Sequence, residues 1–162
     1  MVEVQLELPR VQKLLDRIVR AEQPLVALDA PDAAEIVVQL RMLSMRAGIS
    51  IYAWEPEGGL RPLRESGLSV PGSKRLTDAL RYVLQSTHFG VYVFTGFAAH
   101  MNPPDTLLLR RISRLPDDSG RRIVFVDEQV VLPEELDGMF ERLAFAEDGQ
   151  RCLRLRDGRW VA

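Results

Sequence analysis

Pro24-Leu-Val-Ala-Leu-Asp-Ala-Pro-Asp-Ala-Ala-Glu35 is the stretch on which the architecture turns. Leu25 to Leu28 form an apolar run with no polar alternation, which is how a strand buried on both faces reads. Pro31 then fixes φ, and the Asp32 carboxylate is placed to accept backbone N–H groups, so a helix starts at once. In that helix Ala33, Ile36, Val37, Leu40 and Leu43 share one face, and Gly48 stands where a left-handed C-cap is expected. The next strand is Ile49 to Trp54. A strand, an amphipathic helix and another strand make a βαβ unit.

The same alternation extends both ways. Upstream, Val11, Leu14, Leu15, Ile18 and Val19 predict a helix ending near Arg20. Before it, Val2, Val4, Leu6 and Leu8 alternate with Glu3, Gln5 and Glu7 and predict a half-buried strand, separated from the helix by Pro9. Downstream, residues 55–72 hold four glycines and three prolines and read as a long surface excursion. Ser73 is expected to cap a helix carrying Leu76, Ala79, Leu80, Val83 and Leu84, followed by the strand Val91–Phe94. Asn102-Pro-Pro-Asp105 opens a fourth helix with Leu108, Ile112 and Leu115 on one side, and Arg122–Val126 is a further strand. Pro133 starts a short helix through about Phe140, and Leu143–Phe145 is a final strand of the series. Asp157-Gly158, between Cys152–Arg156 and Arg159–Val161, signals a hairpin. The expected fold is therefore a single α/β domain over residues 1–162, with a core of about 10–146 and a C-terminal β-hairpin at 151–162. Its mostly parallel sheet is covered by helices on both faces, in three layers.

Composition bounds the function. The chain has 162 residues, 46% hydrophobic and 27% charged, with a formal net charge of -2. That balance argues against nucleic-acid binding by bulk electrostatics. No apolar stretch approaches the roughly 20 residues needed to span a bilayer, so no membrane partner is expected. Met1 is followed by Val-Glu-Val-Gln rather than by a leader, and Cys152 is the single cysteine, so the reading is cytoplasmic.

Catalytic groups are hard to find. A phosphate-binding loop needs glycines, a lysine and a Ser/Thr, whereas the turn after Leu28 supplies Asp29, Asp32 and Glu35. Ile123-Val-Phe-Val-Asp-Glu128 matches the apolar-then-acidic string that holds Mg²⁺ in many ATPases, but without the phosphate loop it is a solvated turn. An alternative reading gathers Asp29, Asp32, Asp127 and Glu128 at one sheet edge as a Mg²⁺ site of a small phosphotransfer or hydrolytic enzyme. There is no Gly-x-Ser-x-Gly elbow, and His88 and His100 are two scattered residues that read as surface or loop histidines. The strongest basic cluster is Arg110, Arg111, Arg114, Arg121 and Arg122, a solvated helix end by default and otherwise a docking patch for an acidic partner.

A family resemblance rests on Leu14-Leu-Asp-Arg-Ile18, Pro24-Leu-Val-Ala-Leu28, Ile51-Tyr-Ala-Trp54, Ala79-Leu-Arg-Tyr-Val83, Gly90–Phe97, Arg122–Val126 and Leu132-Pro-Glu-Glu-Leu136. In that succession the chain resembles, over about residues 14–146, the amino-terminal non-catalytic domain of plastid and cyanobacterial AAA-family ATPases. The resemblance implies a degenerate P-loop, RecA-like fold without phosphate-binding residues, used for regulation or docking beside an ATPase. In the family an ATPase module follows, so this chain is expected to act in trans or as part of something longer. The expectation is a non-enzymatic interaction domain with no cofactor and a protein partner. Its candidate contact residues are Trp54, Glu55, Thr95, Gly96 and Phe97 at the sheet edge, with Arg110, Arg111 and Arg114; packing under the 55–72 loop is the alternative reading for Trp54. The N-terminal strand and the hairpin offer an edge for a homodimer or another partner.

Overall fold

The computed structural model describes residues 2–65, 67–86, 88–115, 120–145, 155, 156, 159 and 160. Six strands form the main sheet: β1 (Leu25–Asp29), β2 (Ile51–Glu55), β3 (Gly59–Pro62), β4 (Val91–Phe94), β5 (Arg122–Asp127) and β6 (Phe140–Ala144), in the order β3-β2-β4-β5-β1-β6. Every neighbouring pair is parallel except β2 with β3. The helices are α1 (Val2–Val19), α2 (Ala33–Ala47), α3 (Leu76–Gln85), α4 (Pro103–Arg114) and the single turn α5 (Glu134–Asp137).

The chain order and the sheet order together dictate which face each helix covers. From β1 the chain crosses to β2 at the far side of the parallel set, then returns through β4 and β5 and passes β1 to reach β6. Right-handed crossovers in opposite directions lie on opposite faces. Accordingly α1 and α2 bury Leu15, Ile18, Ile36 and Leu40 against Val26, Val93 and Val124 on one side. On the other, α3, α4 and α5 bury Leu80, Leu109 and Leu136 against Ala27, Phe94 and Phe125. The strands are thus apolar on both faces, as the Leu25–Leu28 run requires.

Several local expectations change. Residues 2–8 are the first two turns of α1, not a strand, and Pro9 lies inside the helix. Val4, Leu8, Val11, Leu15 and Ile18 fall at steps of four, three, four and three, so the short alternation is also part of a longer helical repeat. The homodimer edge built on an N-terminal strand goes with it. The excursion after β2 contains β3, which pairs antiparallel with β2 from Glu55↔Gly59 to Tyr52↔Pro62. Gly59 takes φ +71°, a conformation glycine adopts without a Cβ penalty. Ser73 does not cap α3: its hydroxyl donates to the Val70 carbonyl at 2.6 Å and accepts from the Leu60 N–H at 2.9 Å, tying the loop to β3. The helix expected from Pro133 is one turn long, and Phe140 already begins β6. β7 (Leu155–Arg156) and β8 (Arg159–Trp160) pair antiparallel in a sheet of their own. The Asp157-Gly158 turn between them, and Cys152, lie outside the described residues.

Candidate functional site

In an open α/β sheet the ligand crevice lies beyond the carboxyl ends of two neighbouring strands whose exits go to opposite faces. Here those strands are β1, which leaves toward α2, and β5, which leaves toward α5. Their last residues, Asp29 and Asp127, face each other in register. The crevice is lined by Asp29, Asp127, Glu128 and Gln129.

The acids there are held by the protein itself. Asp29 Oδ1 accepts from the Val130 N–H at 2.8 Å and pairs with Arg142 Nη2 at 3.3 Å. Arg142 also donates to the Val130 carbonyl at 2.8 Å, so one guanidinium locks the loop after β5 onto the end of β1. Asp127 Oδ1 accepts from the Glu128 N–H at 2.8 Å. Asp32, the fourth acid of the alternative metal site, stays at the start of α2, where it accepts from the Glu35 N–H at 3.1 Å. The structure therefore brings Asp29, Asp127 and Glu128 to one crevice and leaves Asp32 on a helix cap. Among the described residues no group of three or more His, Cys, Asp or Glu is placed to hold a metal ion.

Asp127→Asn combined with Glu128→Gln is expected to change stability by less than about 0.5 kcal/mol, because an amide oxygen still accepts from the Glu128 position's N–H and the other side chain is exposed. Titrating Mg²⁺ or Mn²⁺ into both proteins checks the chemistry. Sub-millimolar binding by the wild type, lost in the double variant, would establish a metal site there.

Further along the same edge, the candidate contact residues divide by burial. Trp54 and Phe97 are each 1% exposed. Trp54 donates its indole N–H to the Ser73 carbonyl at 2.8 Å, and Phe97 lies 4.5 Å from the Phe125 ring. Both are core, so neither presents an aromatic anchor to a partner. Glu55, Thr95 and Gly96 do reach the surface or its margin. Glu55 pairs with Arg61 at 3.4 Å, and the Thr95 hydroxyl donates to the Trp54 carbonyl at 3.2 Å. Gly96 has φ +65°, and a Cβ there would stand 3.0 Å from Pro56 Cδ, so glycine lets the β2–β3 turn close over the end of β4. His88 and His100 are exposed, the latter with its ring edge-on to Trp54 at 6.2 Å.

The basic cluster is split as well. α4 starts from the carboxyl end of β4 and runs back across the sheet, so Arg110, Arg111 and Arg114 stand at the opposite end from the crevice. Arg111 and Arg114 are exposed in the last turn, where the helix dipole favours cations. Arg121 and Arg122 are not surface groups: they are 9% and 5% exposed. Arg121 Nη1 donates to the carbonyls of Val83, Leu84 and Ser86 at the end of α3. Arg122 donates to Ile18 and Ala21 at the end of α1. Consecutive residues on a strand point to opposite faces, so one Arg-Arg pair closes a helix in each outer layer. That alternation, at the mouth of a buried strand, was the sequence signal for their role.

The family model for the N-terminal domain of SpoVK-like AAA ATPases matches residues 11–145. Elongation factor P-like proteins of Xanthomonas oryzae pv. oryzae and Xanthomonas axonopodis pv. citri are 31% identical over 83 residues, covering 51% of this chain and 44% of theirs. The chain thus spans less than half the length of these curated relatives.

Proposed function

The chain belongs to the family of N-terminal domains of SpoVK-like AAA ATPases, and from that membership we propose that it is a non-catalytic interaction or regulatory domain working with an AAA ATPase module. The observation that carries this reading is the state of the β1–β5 crevice. Where a nucleotide-binding sheet offers free N–H groups and a lysine to phosphate, this one offers Asp29, already bonded to Val130 and Arg142, and a helix whose N–H at Glu35 is taken by Asp32. Pro31 contributes no N–H at all. We therefore read the fold as a degenerate RecA-like sheet, kept for its surface. The surface we assign to the partner is the crevice edge with Glu55, Thr95 and Gly96, while Arg110, Arg111 and Arg114 form a separate basic patch for an acidic segment.

Nucleotide binding is the sharpest test. With millimolar ATP or GTP the melting temperature is expected to move by less than about 1 °C. A nucleotide present at 100 times its dissociation constant would add about 2.7 kcal/mol, which in a chain of this size is roughly 5–10 °C. A shift of that size overturns the reading. Its positive half is tested by adding the chain to a SpoVK-like ATPase module: the hydrolysis rate or assembly of that module is expected to change, and Arg111→Glu with Arg114→Glu to weaken the effect.

A further inference from the structure

α2 carries two apolar faces where packing on the sheet requires one. Ile36, Leu40 and Leu43 are buried, while Val38, Met42 and Met45 stand 49%, 38% and 57% exposed. Positions 38, 42 and 45 follow the i, i+4, i+7 spacing, so the three make one stripe on the outer side of the helix. The charges at its two ends are opposite in sign. Glu35 lies in the first turn and Arg46 in the last, with Arg41 exposed between them. Glu35 has one carboxylate oxygen engaged by Gln39 Nε2 at 2.7 Å. Among the described residues neither Arg41 nor Arg46 has a carboxylate partner.

A helix that is acidic at its start, apolar along its outer stripe and basic at its end complements itself when turned end for end. We propose that a second copy of this chain docks here, α2 against α2 and antiparallel, about a two-fold axis passing near residue 40. That axis sets Val38 against the partner's Met42 and Glu35 beside the partner's Arg46. At 1.5 Å per residue both members of the charged pair lie roughly 8–9 Å along the helix from the axis, so they meet. The contact is isologous, and each charge pair occurs twice. An acidic helix from another protein would suit the arginines but oppose Glu35, whereas a second copy pairs both ends and leaves only Arg41, which flanks the axis in each copy and extends toward solvent, without a carboxylate. The surface lies on the α1–α2 side of the sheet and does not depend on the partner edge assigned above.

Light scattering or sedimentation of the full chain over a range of concentrations tests the proposal. The wild type is expected to dimerise, and Met42→Glu, at an exposed position, to be monomeric with an unchanged circular-dichroism spectrum, its melting temperature losing the concentration dependence that association gives the wild type. Arg46→Glu is expected to weaken the dimer about fivefold, as an exposed pair does, and Glu35→Arg in the same chain to restore it. A wild type that stays monomeric at high concentration overturns the proposal and leaves the stripe to a different protein. A dimer that persists in Met42→Glu places the interface elsewhere and overturns it equally.

Discussion

Trp54→Ala is expected to lower stability by about 4 kcal/mol, the range for deleting a large buried aromatic, and the melting temperature by roughly 8–16 °C. The indole fills the space between β2, β4 and the loop ahead of α3. It packs on Phe94 at 5.8 Å, and its N–H satisfies the Ser73 carbonyl. Removing it leaves a cavity and an unpaired carbonyl in the same place, and loosens the loop that Ser73 ties to β3. Trp54→Phe should cost less, because the ring volume is largely kept and only the hydrogen bond is lost. Thermal or urea denaturation gives both numbers. If Trp54 were instead a surface anchor, Trp54→Ala would leave the melting curve unmoved and reduce partner binding alone.

Arg122→Met should cost about 3 kcal/mol, equivalent to roughly 6–12 °C. The guanidinium reaches Ile18 O at 3.2 Å and Ala21 O at 2.7 Å, more than a hundred residues away in sequence, as well as its neighbour Arg121 O at 2.9 Å. It closes α1 onto the mouth of β5. Methionine fills the channel with similar bulk but takes the side-chain donor away from Ala21 O and Arg121 O, while Ile18 O keeps the Ala21 N–H at 3.2 Å. Arg122→Lys restores one charged donor and not the fork, so it should recover part of the loss. Hydrogen exchange separates this from a general loss of packing: amides in the last turn of α1 should open first in Arg122→Met, ahead of those in α4.

These two residues also show why the site was only partly legible. Trp54 ends a strand, and its type and position suit a binding anchor as well as a core residue. The choice between them depends on whether a distant loop covers it, and the loop that does so is the excursion that hides β3. Arg121 and Arg122 read as additional members of the basic run on α4 because sequence proximity suggests one patch. The strand mouth and the helix ends that these arginines close meet only through the fold.

Taken alone, the sequence determined what is settled within a turn or two of backbone. Asp32 caps α2 and Gly48 ends it with φ +71°. Asn102 and the two prolines open α4. The apolar runs become strands buried on both faces, and the turn after β1 lacks a phosphate loop. Each of these follows from bonds or periodicities spanning no more than a few residues. Tertiary structure decided the strand order, the pairing of β3 with β2, the helical course of residues 2–8, and the division of the candidate residues into core and surface. It also placed Asp29 beside Val130 and Arg142, at separations of 101 and 113 residues. Such contacts depend on which strands become neighbours, and that is set by burying both faces of the whole sheet at once, a condition no short stretch of the chain contains.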